Sequence, residues 1–265
     1  MNRYSLLLYR VRNLGDMIQT VAMSRHLPAA AGVFRHRLEA AQPDRLLIFN
    51  GLLDKCRPPK DGAPCLFAGV SGPHFRRGQY FRWMANSVHP IGARDPSTLD
   101  QLHAAGLPAV LIGCATLTLP RYDGPRSGVY SVDYPGPGLP LSHRISRRDT
   151  AAKQWTAALD VLAKYRSAEA VYTSRLHVAL PCLAYGTPVW IANPKRGAWR
   201  ASRFGIIDQL GLSYETLVTA DVSQWAQKYV DFLETHLRHR IETGEPKMPS
   251  VPALANSWLP RWLQW

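Results

Sequence analysis

Cysteine is scarce in this chain and follows no pattern. Its four cysteines, Cys56, Cys65, Cys114 and Cys182, form no CxxC pair and no metal-ligand spacing. Neither a zinc site nor a disulfide framework is expected, and the four read as buried or half-buried thiols. Long apolar runs are missing too, since none approaches the roughly 18 residues that span a bilayer. The opening MNRYSLLLYRVRNLGD is basic, yet its apolar stretch is only about five residues long and no small-residue cleavage site follows. That is too short for a signal-peptide core, so the expected location is the cytoplasm. No G-x-G-x-x-G follows a strand and no glycine loop ends in a Walker lysine, which argues against a nicotinamide enzyme or an ATPase. Internal repeats and low-complexity segments are also absent.

Acidic residues are outnumbered, 19 Asp and Glu against 32 Lys and Arg, giving a net charge of +13. Such an excess favours anionic partners: nucleic acid, acidic lipid or a phosphorylated substrate. The distribution narrows the choice. Leu66 to Arg94 holds four arginines and no acid; Ser142 to Arg148 holds Arg144, Arg147 and Arg148; Ile191 to Phe204 holds Lys195, Arg196, Arg200 and Arg203. Dispersed clusters between apolar segments suit a phosphate-lined cleft at least as well as a nucleic-acid groove.

Apolar content is 46% over 265 residues, enough for one large domain or two small ones. SLLLYR, RLLIFNG, CLFAGVSG and PAVLIGCATLTL are short apolar runs that stop at small or polar residues, the pattern of parallel strands covered on both faces. MIQTVAMSRHL and PSTLDQLHAAGL alternate with them at helical spacing, the second capped by Ser97 or its neighbour and ended by Gly106. Tyr122 to Pro140 is rich in Pro and Gly and includes a break placed near Arg121. SGVYSVDY then opens a second unit, with TAAKQWTAALDVLAKYRSA and RLHVALPCLAYG as helices, AVYTS and TPVWIA as strands, and helices through about His239. The predicted fold class is α/β with parallel sheets: a half over 1–121, a half over 122–243, and a Pro- and Trp-rich tail over 244–265.

Two junctions carry chemistry. Asn13-Leu14-Gly15-Asp16 sits where the first strand turns into a helix. Gly15 permits a close approach, and the helix start offers N–H groups to an anion or hydroxyl. Asp16 is either a plain cap or a carboxylate that holds or deprotonates an acceptor hydroxyl. Thr173-Ser174-Arg175-Leu176-His177 falls at a later strand-to-helix junction. Arginine offers a planar fork for carboxylate or phosphate, and histidine titrates near neutrality; a structural Arg–His pair is the alternative.

The blocks N-x-G-D-x-I-Q-x-x-A, PIGARDPSTLDQLHAAGLPAVLIGCATLTL and TSRLHVALPCLAYGTPVW, in this order across roughly Asn13 to Leu212, resemble the polysaccharide pyruvyl transferases. That resemblance implies two Rossmann-like halves around a cleft, similar to a compact glycosyltransferase type B fold. The first half would face the acceptor and the second the donor. It implies phosphoenolpyruvate as donor, a pyruvate ketal on a sugar as product, and no metal or organic cofactor. Arg175 would grip the donor's phosphate or carboxylate and His177 act as the acid–base group, with Asp16 as its catalytic companion. Ser174, Asn13 and Gly15 would line the substrate site. Arg94 and Asp95 match the family's mid-chain RD block, although an Arg–Asp pair that closes a loop is an equal alternative. Lys195 and Arg203 are second-tier anion ligands, and His74, in a glycine-rich loop, is a further cleft candidate. The other histidines read mostly as surface residues, with His143 noted beside a basic cluster.

The terminal SWLPRWLQW, with Trp258, Trp262 and Trp265, suits either a strap packed across the cleft, the favoured reading, or contact with an anionic membrane surface carrying a lipid-linked sugar acceptor. Two other functions remain as alternatives: a nucleotide-sugar glycosyltransferase of the same fold, and a nucleic-acid binder or modifier, which the dispersed charge disfavours.

Overall fold

The computed structural model describes residues 3–27, 30–53, 56–59, 63–72, 78–194, 202–237, 241 and 244–250. The chain begins with β1 (Tyr4–Leu8), buried along its whole length, and α1 (Leu14–Ser24). It continues through β2 (Ala31–Phe34), β3 (Leu46–Leu52), β4 (Cys65–Ser71), α2 (Gly78–Ala85), β5 (Val88–Ala93), α3 (Pro96–Ala104) and β6 (Ala109–Leu111). These six strands form one sheet in the order β2-β1-β3-β4-β5-β6, every pair parallel. The second sheet takes β7 (Val129–Val132), β8 (Leu139–Leu141), β9 (Ala170–Thr173), β10 (Val189–Ile191) and β11 (Leu217–Val218) in the order β11-β10-β9-β7-β8. Only the β10–β11 pair is antiparallel. The later helices are α4 (Ala151–Ser167), α5 (Leu176–Tyr185), α6 (Gly205–Gln209) and α7 (Ser223–Leu237). Two mostly parallel sheets with helices between strands make this a Rossmann-like, glycosyltransferase type B-like α/β fold.

Chain order reverses direction beside β1 in the first sheet and beside β7 in the second. The loops leaving adjacent strands there diverge to opposite faces, which opens a crevice at the carboxyl ends of the strands. Both strand-to-helix junctions singled out in the sequence sit at these points: Asn13 follows β1, and Ser174-Arg175 follows β9, the neighbour of β7.

Several local expectations are corrected. PAVLIGCATLTL is not one strand: pairing stops at Leu111, and Ala115–Thr118 is a 3₁₀ turn. Helix α3 is capped by Asp95 rather than Ser97, because Pro96 occupies the first helical position and the Asp95 carboxylate reaches the Thr98 N–H at 3.0 Å. The Pro- and Gly-rich span 122–140 contains β7 and most of β8, which pair in parallel register despite their flanks. All four cysteines are buried free thiols, and burial raises the thiols of Cys65, Cys114 and Cys182, leaving them protonated and unreactive.

Although it comes late in the chain, α7 returns to the first sheet. The Tyr229 hydroxyl donates to the Ala68 carbonyl at 2.9 Å, and the Tyr4 hydroxyl to that of Leu237 at 3.3 Å. Gly69 makes this contact possible: its φ is +78°, and a Cβ there would meet the Gly113 carbonyl at 2.8 Å and the Tyr229 ring at 3.1 Å. Further on, Ser250 runs beside β2, its carbonyl accepting from Gly32 N–H at 2.7 Å. Trp258, Trp262 and Trp265 lie outside the described residues. No described helix is long and apolar enough to cross a membrane.

Candidate functional site

A cleft of about 720 Å³ opens between the two sheets. From the first half it is lined by Asn13 and Gly15; from the second by Asp133, Tyr134, His143, Arg144, Ser174, Arg175, His177, Arg203 and Phe204. Of the residues marked in the sequence, Asn13, Gly15, Ser174, Arg175, His177 and Arg203 therefore share one wall-to-wall space. Asp16, Arg94 and Asp95 are buried and do not line it. His74 and Lys195 lie outside the described residues.

The first wall is built by the start of α1. The Asn13 side chain caps the helix, accepting from Gly15 N–H at 3.2 Å, so Asp16 is not the cap but sits in the first turn. The next free amide, Leu14 N–H, donates across the cleft floor to the His143 carbonyl at 2.9 Å. One orphan donor of α1 is thus satisfied by the opposite half, and this ties the two halves together beside the site. Gly15 faces His177: a Cβ at position 15 would lie 3.1 Å from the His177 Cβ and 3.2 Å from its Nδ1. Any larger residue would push the imidazole.

The second wall centres on Asp133, just beyond β7, held at φ 48°. Left-handed backbone is tolerated best by short polar side chains, and this one is fully employed. The carboxylate accepts from the Ser142 hydroxyl at 2.8 Å, from His143 N–H at 3.1 Å, and from Arg175 Nη2 at 3.0 Å. Burial pushes its pKa up, but these hydrogen bonds and the Arg175 charge outweigh that and leave it below the usual carboxylate range. Thr173 orders the next junction: its hydroxyl accepts from Arg175 N–H at 2.9 Å and donates to the Val132 carbonyl at 3.2 Å. Arg175 keeps 35% of its side chain exposed, toward the cleft.

His177 opens α5 behind that arginine. Its Nε2 lies 3.4 Å from Nη1 of Arg94, a residue of the first half that is 0% exposed and 3.6 Å from the Asp95 carboxylate. Burial, then the charges of Arg94 and Arg203, then His143 hold the His177 pKa well below its ordinary value. The ring is neutral at pH 7. His143 is likewise neutral, its pKa pushed down to about 4 by burial and by Arg175, with Asp133 opposing. Its Nε2 meets the Tyr165 hydroxyl at 2.6 Å.

His143 and His26 are exceptions to the expectation that the remaining histidines lie mostly at the surface. Both are buried, and His26 bonds Thr118 Oγ1 at 2.7 Å. Asp133 and Tyr134 are cleft residues that the sequence reading missed, while Arg144 belongs to one of the basic clusters it marked. Asp133 had a usable signal, a polar residue directly after an apolar run, the place where a parallel strand delivers side chains to a ligand.

A family model described as Polysaccharide pyruvyl transferase matches residues 55–195, more than half of the chain. The chain belongs to the polysaccharide pyruvyl transferase family. The matched span takes in Arg94, Asp133, His143, Ser174, Arg175 and His177, but not Asn13, Gly15 or Arg203. Family membership implies a transferase that places pyruvyl on a polysaccharide or sugar acceptor. No curated protein matches the chain. Among solved structures, a functionally uncharacterised Klebsiella pneumoniae protein superimposes with a TM-score of 0.50 at 13% identity, covering 83% of this chain and 93% of the other. At that identity it speaks for the fold alone.

Proposed function

We propose that this pyruvyl transferase takes its pyruvyl group from phosphoenolpyruvate, bound in the cleft with its anionic groups against Arg175, Arg144 and Arg203. The observation that carries the reading is the convergence of three arginines and His177 on one space, supplied by segments that the sequence scatters over about sixty residues. A donor carrying a phosphate and a carboxylate needs several cations at once, and the forked guanidinium of Arg175, already oriented by Asp133, suits either group.

His177 is the proton carrier of the proposed chemistry. The enol π pair takes a proton at the methylene carbon, and C2 becomes oxocarbenium-like. A sugar oxygen bonds to C2 and sheds its proton. The C2–O bond to phosphate then breaks with its electron pair on phosphate, and a second sugar hydroxyl closes the ketal, releasing its own proton. Protons and electrons balance with donor and diol alone. A neutral imidazole must first gain a proton before it can give one. The donor's negative charge favours that gain, because it offsets the guanidinium charges that hold the ring neutral. Guanidinium groups converging on the cleft would stabilise the departing phosphate.

The test is a thermal-shift titration with phosphoenolpyruvate beside a panel of nucleotide sugars and a phosphate control. Selective stabilisation of about 2.7 kcal/mol is expected when ligand reaches about one hundred times its Kd, and it should vanish in Arg175→Ala. His177→Ala should fold normally and lose turnover by about 10²–10⁴-fold. A shift with a nucleotide sugar and none with phosphoenolpyruvate would replace this reading with a glycosyltransferase.

A further inference from the structure

Arg94 does not line the cleft, yet it reaches across from the first half to His177, an imidazole in the cleft wall. Its guanidinium is 0% exposed, and among the described residues neither Nε nor Nη2 has a hydrogen-bond partner. Its Nη1 lies 3.4 Å from His177 Nε2. Arginine carries only donors, so a hydrogen bond between these atoms has one possible sense: Nη1–H donates and Nε2 accepts with its lone pair. A neutral imidazole that accepts at Nε2 must carry its single proton on Nδ1. That edge of the ring lies against Gly15, itself a cleft residue, where the missing Cβ leaves the nitrogen uncovered.

We propose that Arg94 is the positioning residue of this site, fixing His177 as the Nδ1–H tautomer with that N–H turned toward the Gly15 side of the cleft. Two consequences follow for the chemistry. In the resting site His177 presents a hydrogen-bond donor, suited to an anionic oxygen of the ligand. The next proton can bind only at Nε2, and Arg94 must first withdraw its N–H from that lone pair. The first half thereby controls when the second half's histidine becomes an acid, through a contact that crosses the boundary between them. This contact also gives the mid-chain Arg-Asp pair a task beyond closing a loop. Asp95 holds Arg94 from one side while capping α3, through Thr98 N–H and the Thr98 hydroxyl at 2.8 Å.

The inference leans on the proposed function only for its catalytic consequence, and its first test requires no turnover. Nitrogen-15 NMR of the His177 ring in the unliganded, wild-type protein at neutral pH should show a protonated Nδ1 and an unprotonated, pyridine-like Nε2. A ring protonated at Nε2 would overturn the proposal. In Arg94→Met, where the donor is gone but the aliphatic bulk is kept, the ring should move to a mixture of tautomers; a spectrum identical to wild type would also overturn it. If that variant does not fold, the wild-type spectrum still decides. Absence of pyruvyl transfer from phosphoenolpyruvate in a protein with the stated tautomer would sink the functional reading and leave this one standing.

Discussion

Each of the two halves that meet at the cleft carries an arginine paired with an aspartate, and the pairs are built on opposite principles. In the first half Arg94 is fully buried, 3.6 Å from an equally buried Asp95. In the second half Arg175 keeps about a third of its side chain exposed, 3.0 Å from Asp133. A buried pair is costly to desolvate and costlier still to break, so it serves to fix geometry. A half-exposed pair contributes little to stability and leaves its cation able to turn toward a ligand. One pair is a frame for His177, and the other is an adaptable grip.

Acid should have the largest effect on this division. His143 and His26 have folded pKa values of about 4, lowered mainly by burial, against about 6.5 when unfolded. The unfolded chain therefore binds more protons between those values. The contribution of these two rings is complete above pH 6.5, falls as pH drops toward 4, and is lost below that. Each ring accounts for about 3 kcal/mol over the window, and His177 acts in the same direction. Denaturant unfolding at pH 7 and pH 4.5 checks this. Equal midpoints would mean the rings are already charged and the walls less closed than described.

Next comes removal of each arginine. Arg94→Ala leaves the Asp95 carboxylate buried and uncompensated and should cost about 3–5 kcal/mol. Arg175→Ala should cost about 1 kcal/mol or less. Urea midpoints of the two variants compare the pairs directly, and similar losses would erase the contrast between frame and grip.

The smallest effect sharpens the grip itself. Arg175→Lys retains the charge but not the fork, so phosphoenolpyruvate affinity should fall about tenfold, on the scale of one bidentate hydrogen bond, with the urea midpoint nearly unchanged. Unaltered affinity by calorimetry would assign Arg175 to holding Asp133 rather than the donor.

Much of the site was legible because strand-to-helix junctions announce themselves. A short apolar run ending in Asn13-Leu14-Gly15 or in Thr173-Ser174-Arg175 marks a carboxyl end, and parallel sheets present ligand-binding groups there. Strand Leu139–Leu141 was obscured by the Pro- and Gly-rich span it lies in, whose composition reads as linker. Only pairing with β7 shows that it is a strand. The short strand β11 escaped notice because its two residues are held by antiparallel contact with β10 alone.

The sequence by itself determined the alternation of strand and helix, the family, and the residue types at the two junctions, because these depend on local periodicity and on side-chain chemistry at fixed spacing. Tertiary structure alone decided the partnerships. That Arg94 meets His177, that the His143 carbonyl receives an amide of α1, and that both histidines lie buried and neutral depend on contacts across 83 or more residues of chain in two of the three cases. Burial and neighbouring charge set the protonation of an imidazole, and neither is a property of the residues beside it in sequence.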